Sequence, residues 1–190
     1  DPAAWIRGTA TIPLDVGLDG ASSGSVAGTI DGIEVCTDDT APYECAFNSS
    51  GQDGTPTLTL TVTTADGNAS VELALKIDNV VPTVSVAFTG TGAVIYSKAP
   101  DLLTVHVNDT DSLFNASAND VGSGIATVDV LARAAGTSDA FAIIASTTDA
   151  SGSAFNIELS DLSAYPDGDY DLKLRVTDDA GNTNESATLT

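Results

Sequence analysis

Wherever apolar residues cluster in this chain they alternate with polar ones at a period of two, and that periodicity permits strands and little else. Leu58, Leu60 and Val62 interleave with Thr57, Thr59, Thr61 and Thr63. Tyr170, Leu172, Leu174 and Val176 interleave with Asp171, Lys173 and Arg175, and Val71, Leu73, Leu75 and Ile77 with Glu72, Ala74 and Lys76. Successive strand side chains point to opposite faces, so each run predicts a strand with one buried face. No segment shows a helical period, so the predicted class is all-β.

The remaining strands follow from turn chemistry. Ala10, Ile12, Leu14 and Val16 predict a strand in which Pro13 belongs at an edge or a bulge, because proline donates no ladder hydrogen bond. Asp31-Gly32 lies between the apolar runs Val26 to Ile30 and Ile33 to Cys36, a strong hairpin signal. Tyr43 to Phe47 returns with Cys45 placed to face Cys36 across a hairpin. Further on, strands are predicted at Val84 to Phe88, Leu103 to Val107, Ile125 to Ala132, Ala140 to Ser146, Ala154 to Leu159 and Glu185 to Thr190. Asn108 to Gly124 reads as a long polar loop.

A junction divides these strands. One run ends at Ile77, and the next begins after Asp78-Asn79-Val80-Val81-Pro82-Thr83, where Pro82 fixes its own φ and biases Val81 towards an extended conformation. The predicted domains are 1–79 and 80–190. A repeat supports the division: Asp53-Gly54 matches Asp167-Gly168, Val62-Thr63 matches Val176-Thr177, and Gly67-Asn68 matches Gly181-Asn182, all at one offset. Short strands at regular spacing in two repeats predict two antiparallel β-sandwiches in tandem.

Charge narrows the partners. With 22 aspartates and five glutamates against six lysines and arginines, the net charge is -21. Such a chain repels nucleic acid and anionic membranes. The acidity serves either solubility or cation binding, since aspartate favours both turns and hard-cation sites. No apolar run reaches the length of a membrane helix, and the chain reads as a mature or excised piece of a longer one. Cys36 and Cys45 are the only cysteines. Paired, in an oxidising compartment, they would close a loop worth about 2.5 to 3 kcal/mol of chain entropy; two buried thiols are the alternative.

Several residues carry a resemblance to a known family. Asp167-Gly168-Asp169-Tyr170, Val176-Thr177-Asp178-Asp179-Ala180-Gly181-Asn182 and the link Asp78 to Val84 resemble the tandem immunoglobulin-like repeats of bacterial and archaeal cell-surface proteins and adhesins. The hairpin Gly32 to Cys45 is similar to one recurrent in such repeats. The resemblance implies two tandem immunoglobulin-like domains. Domain 1 departs from it at Pro56, where domain 2 has Tyr170, and at Thr64, where domain 2 has Asp178. Against the family pattern, domain 1 lacks its first strand and domain 2 part of its last. An arbitrary cut in a repeat array accounts for that, and a strand supplied by a neighbouring subunit is the alternative.

The resemblance also implies a metal site. In such a sandwich the start of the domain lies at the same end as two of its loops, placing Asp78 and Asn79 near Asp109, Asp111 and Asp120 and near Asp178, Asp179 and Asn182. Calcium, which takes six to eight oxygens from flexible loops, is the expected ion. The bland alternative is that these residues only cap turns. Glycosylation is a second signal, with sequons at Asn48, Asn68, Asn108, Asn115 and Asn184.

Catalytic patterns are weak. Gly20-Ala21-Ser22-Ser23-Gly24 matches a nucleophile elbow by letter but sits between strands, and the only histidine, His106, reads as an outward strand residue. Asp167, Asp169, Asp171 and Asp178 fit an EF-hand spacing, yet Leu172 stands where glycine is needed. The expectation is therefore no enzyme. It is instead a structural spacer or adhesive stalk segment, extracellular, with neighbouring repeats or copies of the same chain as partners, and surface glycans or proteins as further ones. The alternatives are a filament or surface-layer subunit assembled by strand exchange, and an accessory carbohydrate-binding module of a secreted enzyme.

Overall fold

The computed structural model describes residues 4–18, 23–88, 103–107, 114–148, 155–159 and 165–189. Among them every regular element is a strand. The chain forms two compact units, Asp1–Val80 and Val81–Thr190.

Unit 1 contains β1 (Thr9–Pro13), β2 (Gly24–Ile30), β3 (Ile33–Asp38), β4 (Glu44–Asn48), β5 (Thr57–Thr64) and β6 (Gly67–Ala74). One sheet has the order β3-β2-β5-β6 and the other is the pair β1-β4, all antiparallel. Asp31 and Gly32 join β2 to β3 with φ of 51° and 77°, the left-handed pair that matches the twist of a two-residue hairpin. Leu58, Leu60, Val26, Tyr43 and Phe47 meet in a core that Leu75 and Ile77 close.

Two expectations for unit 1 change. Cys36 and Cys45 are disulfide-bonded, but not across a hairpin. β3 pairs with β2 and β4 pairs with β1, so the bridge ties one sheet to the other. The Asp38 carboxylate shapes that crossing, with Oδ1 accepting from Thr40 N and Oδ2 from Glu44 N. Val71 is not on a buried face: it is 62% exposed. β6 is the outer strand of its sheet and the facing sheet is two strands wide, so the outer part of β6 is left uncovered by any described strand.

Unit 2 contains β7 (Thr83–Phe88), β8 (Leu103–Val107), β9 (Phe114–Asn119), β10 (Ile125–Ala134), β11 (Ala142–Thr147), β12 (Phe155–Leu159), β13 (Tyr170–Asp178) and β14 (Thr183–Glu185). The sheets run β11-β10-β13-β14 and β12-β8-β9-β7, and β8 with β9 is the one parallel pair described. Val128, Val130, Leu174 and Val176 are fully buried between them. The segment expected to be loop from Asn108 to Gly124 includes β9, whose alternation of Phe114, Ala116 and Ala118 is too weakly apolar to stand out. The last strand starts earlier than expected, at Thr183, and past Ser186 it returns to β13 through a single bridge between Leu189 and Leu172. At the head of β13 the Tyr170 hydroxyl donates to Pro166 O at 2.7 Å, anchoring a corner that Pro56 cannot form in unit 1.

Candidate metal centre

In unit 1 the predicted site residues follow β6, just past the bridged Ile77. Asp78 is 1% exposed; its N–H donates to Ile6 O and its Oδ1 accepts from Val80 N at 3.0 Å. Asn79 is a hub of hydrogen bonds. Its Oδ1 accepts from Gly8 N and Ser49 Oγ, its Nδ2 donates to Ser49 O and Gln52 O, and its N–H donates to Asp53 Oδ1 at 2.7 Å. The Asn79 side chain thus ties the strand end to two neighbouring loops of its own unit. In the hairpin where the repeat has Thr64 for Asp178, the Thr64 hydroxyl donates to Gly67 O and accepts from Asp66 N, a turn cap with no carboxylate.

In unit 2 the loop between β9 and β10 folds around Asp120. Its Oδ2 accepts from Gly122 N at 3.0 Å and Gly124 N at 2.6 Å, a tight turn that leaves Oδ1 buried without a partner. The hairpin between β13 and β14 folds around Asp178, which is 1% exposed. Asp178 Oδ1 accepts from Asn182 N and Oδ2 from Asn182 Nδ2. The two loops are pinned together, Asp179 N donating to Gly124 O and Ala180 N to Ser123 Oγ. One carboxylate oxygen of Asp120 thereby comes within 4.8 Å of one of Asp178.

Asp178 is buried and Asp120 half-buried; two carboxylates at that separation repel unless a cation lies between them, and a buried oxygen without a hydrogen bond is costly. The donor set is all oxygen, which suits a hard cation. Asp179 is exposed and contributes its backbone to the loop contact, and Asn182 holds Asp178 in place. Asp109 and Asp111 lie outside the described residues, as do Asn108 and Gly20 to Ser22.

The sequon asparagines divide by setting. Asn48 and Asn68 are exposed, with Asn48 Oδ1 accepting from Ser50 N. Asn184 is half-buried, and its Nδ2 donates to Pro82 O at 2.9 Å. Asn115 lies in β9, where side chains are outside the description, as is that of His106 in β8.

An ionic layer on the outer face of β10 and β13 escaped the sequence reading. Asp171, expected to point into solvent, is 5% exposed and accepts from Arg133 Nε at 2.9 Å. Lys173 pairs with Glu185, and both Lys173 and Arg133 lie over the Phe141 ring. Arg133, Asp171, Lys173 and Glu185 all stand at outward positions of their strands. The signal available was that this face pairs opposite charges across strands while the chain is otherwise acidic.

No protein-family model matches the chain, and no curated protein matches it by sequence. Among solved structures, the fibronectin(III)-like modules of Clostridium thermocellum CbhA align with 96% of this chain and 85% of theirs, at 17% identity and a TM-score of 0.52. A Bacteroides ovatus protein of a mixed-linkage glucan utilization locus, SGBP-B in complex with a heptasaccharide, aligns over 98% of this chain and 41% of its own at 14% identity, with a TM-score of 0.31. A titin fragment of three immunoglobulin domains aligns over 97% and 60% at 12% identity, with a TM-score of 0.35. The first of these supports the fold: the chain is all-β, built of antiparallel sheets in immunoglobulin- or fibronectin-type sandwiches.

Proposed function

We propose that this chain is an extracellular spacer or adhesive stalk segment in which two immunoglobulin-like units of the bacterial and archaeal surface-repeat type are stiffened by calcium. The single observation that supports the metal is the buried, unpartnered Oδ1 of Asp120 in a loop that also brings Asp178 within 4.8 Å. A bound divalent cation would satisfy that oxygen and neutralise the pair. Asp120 and Asp178 would hold it, and Gly122, Gly124 and Asn182 would keep the two carboxylates aimed. The inter-sheet disulfide supports an oxidising compartment. Among the described residues the large exposed hydrophobics are all aliphatic: Ile33, Val71, Val80, Val81, Val121 and Ile143. Sugar-binding platforms are typically aromatic, which favours the spacer over a carbohydrate-binding module.

The test is thermal unfolding of the 190-residue chain in EDTA and then in millimolar calcium. A site with a Kd a hundredfold below the added calcium raises stability by about 2.7 kcal/mol. Superimposable curves would remove the metal and leave the aspartates as solubilising groups.

A further inference from the structure

Of the five Asn-x-Ser/Thr sequons, three have both the asparagine and the hydroxyl residue two positions on within the described side chains: Asn48 with Ser50, Asn68 with Ser70 and Asn184 with Ser186. Such a sequon carries two groups that matter to glycosylation, the amide that is modified and the hydroxyl that makes it an acceptor. The fold commits that hydroxyl in two of the three. Ser186 is 8% exposed, and its Oγ accepts from Leu174 N and donates to Ala187 O. Ser70 Oγ is hydrogen-bonded to Thr61 Oγ1 at 2.9 Å, and Asn68 to Ser70 is held in the β5-β6 ladder opposite Thr61 to Thr63.

Asn48 and Ser50 differ. Asn48 is the last residue of β4, and the chain turns at once: its Oδ1 accepts from Ser50 N at 2.9 Å, and Gln52 N donates to Ser49 O. Ser49, between them, is fully buried, with its Oγ hydrogen-bonded to Gly8 O and Asn79 Oδ1. Anchoring the middle residue leaves its two neighbours exposed. Among the described residues nothing hydrogen-bonds Asn48 Nδ2 or the Ser50 hydroxyl. There is room beside them, because Asn48 ends the exposed row Glu44, Ala46 and Asn48 of β4, flanked by the exposed Thr9 and Thr11 of β1.

We propose that Asn48 is an N-glycosylation site of the folded protein, with a lipid-linked oligosaccharide as the donor. In the transfer Asn48 Nδ2 attacks the anomeric carbon of the first sugar, and a C–N bond replaces the C–O bond to the lipid phosphate. The phosphate leaves with the bonding electron pair, and the amide gives up one proton to a base of the transferase, so nothing is oxidised or reduced. The Ser50 hydroxyl is the group by which the transferase holds the acceptor.

The test incubates the folded, disulfide-bonded chain with a purified oligosaccharyltransferase that accepts Asn-x-Ser/Thr and with its lipid-linked donor, a short free acceptor peptide serving as positive control. Sites are read by mass spectrometry of the glycopeptides. Asn48 is expected to be modified at least about tenfold faster than Asn68 and Asn184, whose hydroxyls must first be released. In the reduced, alkylated and unfolded chain the three rates are expected to converge. Ser50→Ala should abolish modification at Asn48, and Ser50→Thr should retain it. Ser50 is exposed, so both variants fold, which matching unfolding curves check. Modification of the control peptide while Asn48 stays bare overturns the assignment. So do equal rates at the three asparagines of the folded chain, or modification of Asn48 that persists in Ser50→Ala.

Discussion

The Arg175 guanidinium grips one oxygen of Asp129, with Nε at 3.0 Å and Nη2 at 2.6 Å, while Ser146 Oγ donates to the other oxygen at 2.6 Å. Asp129 is buried, and Arg175 is its ion-pair partner. Arg175→Ala leaves the carboxylate short of its main partner and is expected to cost about 2 to 3 kcal/mol in urea unfolding, somewhat below the range for fully buried pairs because Arg175 is partly solvated. Replacing both residues by apolar ones is expected to cost less than the single change. Additive losses would show that the pair is not coupled.

Gly28 in β2 lies beneath the disulfide. A Cβ there would collide with the Cys36 sulfur, approach the Cys45 sulfur to 3.0 Å and meet Leu58 at 3.2 Å. Gly28→Ala is expected to destabilise by about 1 to 3 kcal/mol, the range for overpacking a core. In a Cys36→Ala, Cys45→Ala background the same change should cost much less, since the sulfurs are gone. An equal cost in both backgrounds, measured by denaturation, would place the clash elsewhere.

The disulfide closes a short loop but links the two sheets. Its removal in the Cys36→Ala, Cys45→Ala variant is expected to lower stability by about 3 kcal/mol. Amide exchange should rise in both β3 and β4, because the tie spans both sheets. Faster exchange in one strand alone would contradict that reading.

Asn79→Ala removes an oxygen that accepts two hydrogen bonds and a nitrogen that donates to two carbonyls. The expected cost is about 2 to 4 kcal/mol, at roughly 1 kcal/mol for each bond. A loss below about 1 kcal/mol would mean that water replaces the amide without penalty.

The proposed calcium stabilisation is expected to vanish in Asp120→Asn and Asp178→Asn. Asp139→Asn, an exposed aspartate elsewhere in unit 2, should keep the full effect. Retention of the calcium shift in Asp120→Asn would move the ion to other carboxylates.

Legibility in the sequence followed burial contrast. β5 and β13 could be read because each sets leucine and valine against polar residues on the opposite face, and Asp31-Gly32 announced its hairpin by backbone chemistry alone. β9 could not, since its inward Ala118 is a single methyl group and buries too little apolar surface to stand out. Val71 continued an apolar alternation, yet the alternation carries no information about how wide the facing sheet is. In the candidate metal centre, the aspartates were visible as aspartates. That a buried oxygen of Asp120 meets Asp178, while Asn79 spends its side chain holding loops together, depends on which loops share an end of a sandwich.

By itself the sequence determined the class of element, the turns and the charge, because alternation, left-handed turn residues and acidity act over a few neighbouring positions. Only the tertiary structure decided that Cys36 and Cys45 join two sheets and that Asp171 is buried against Arg133. Those are relations between strands distant in the chain. Strand pairing is settled by the collective burial of two faces rather than by the local preference of either strand.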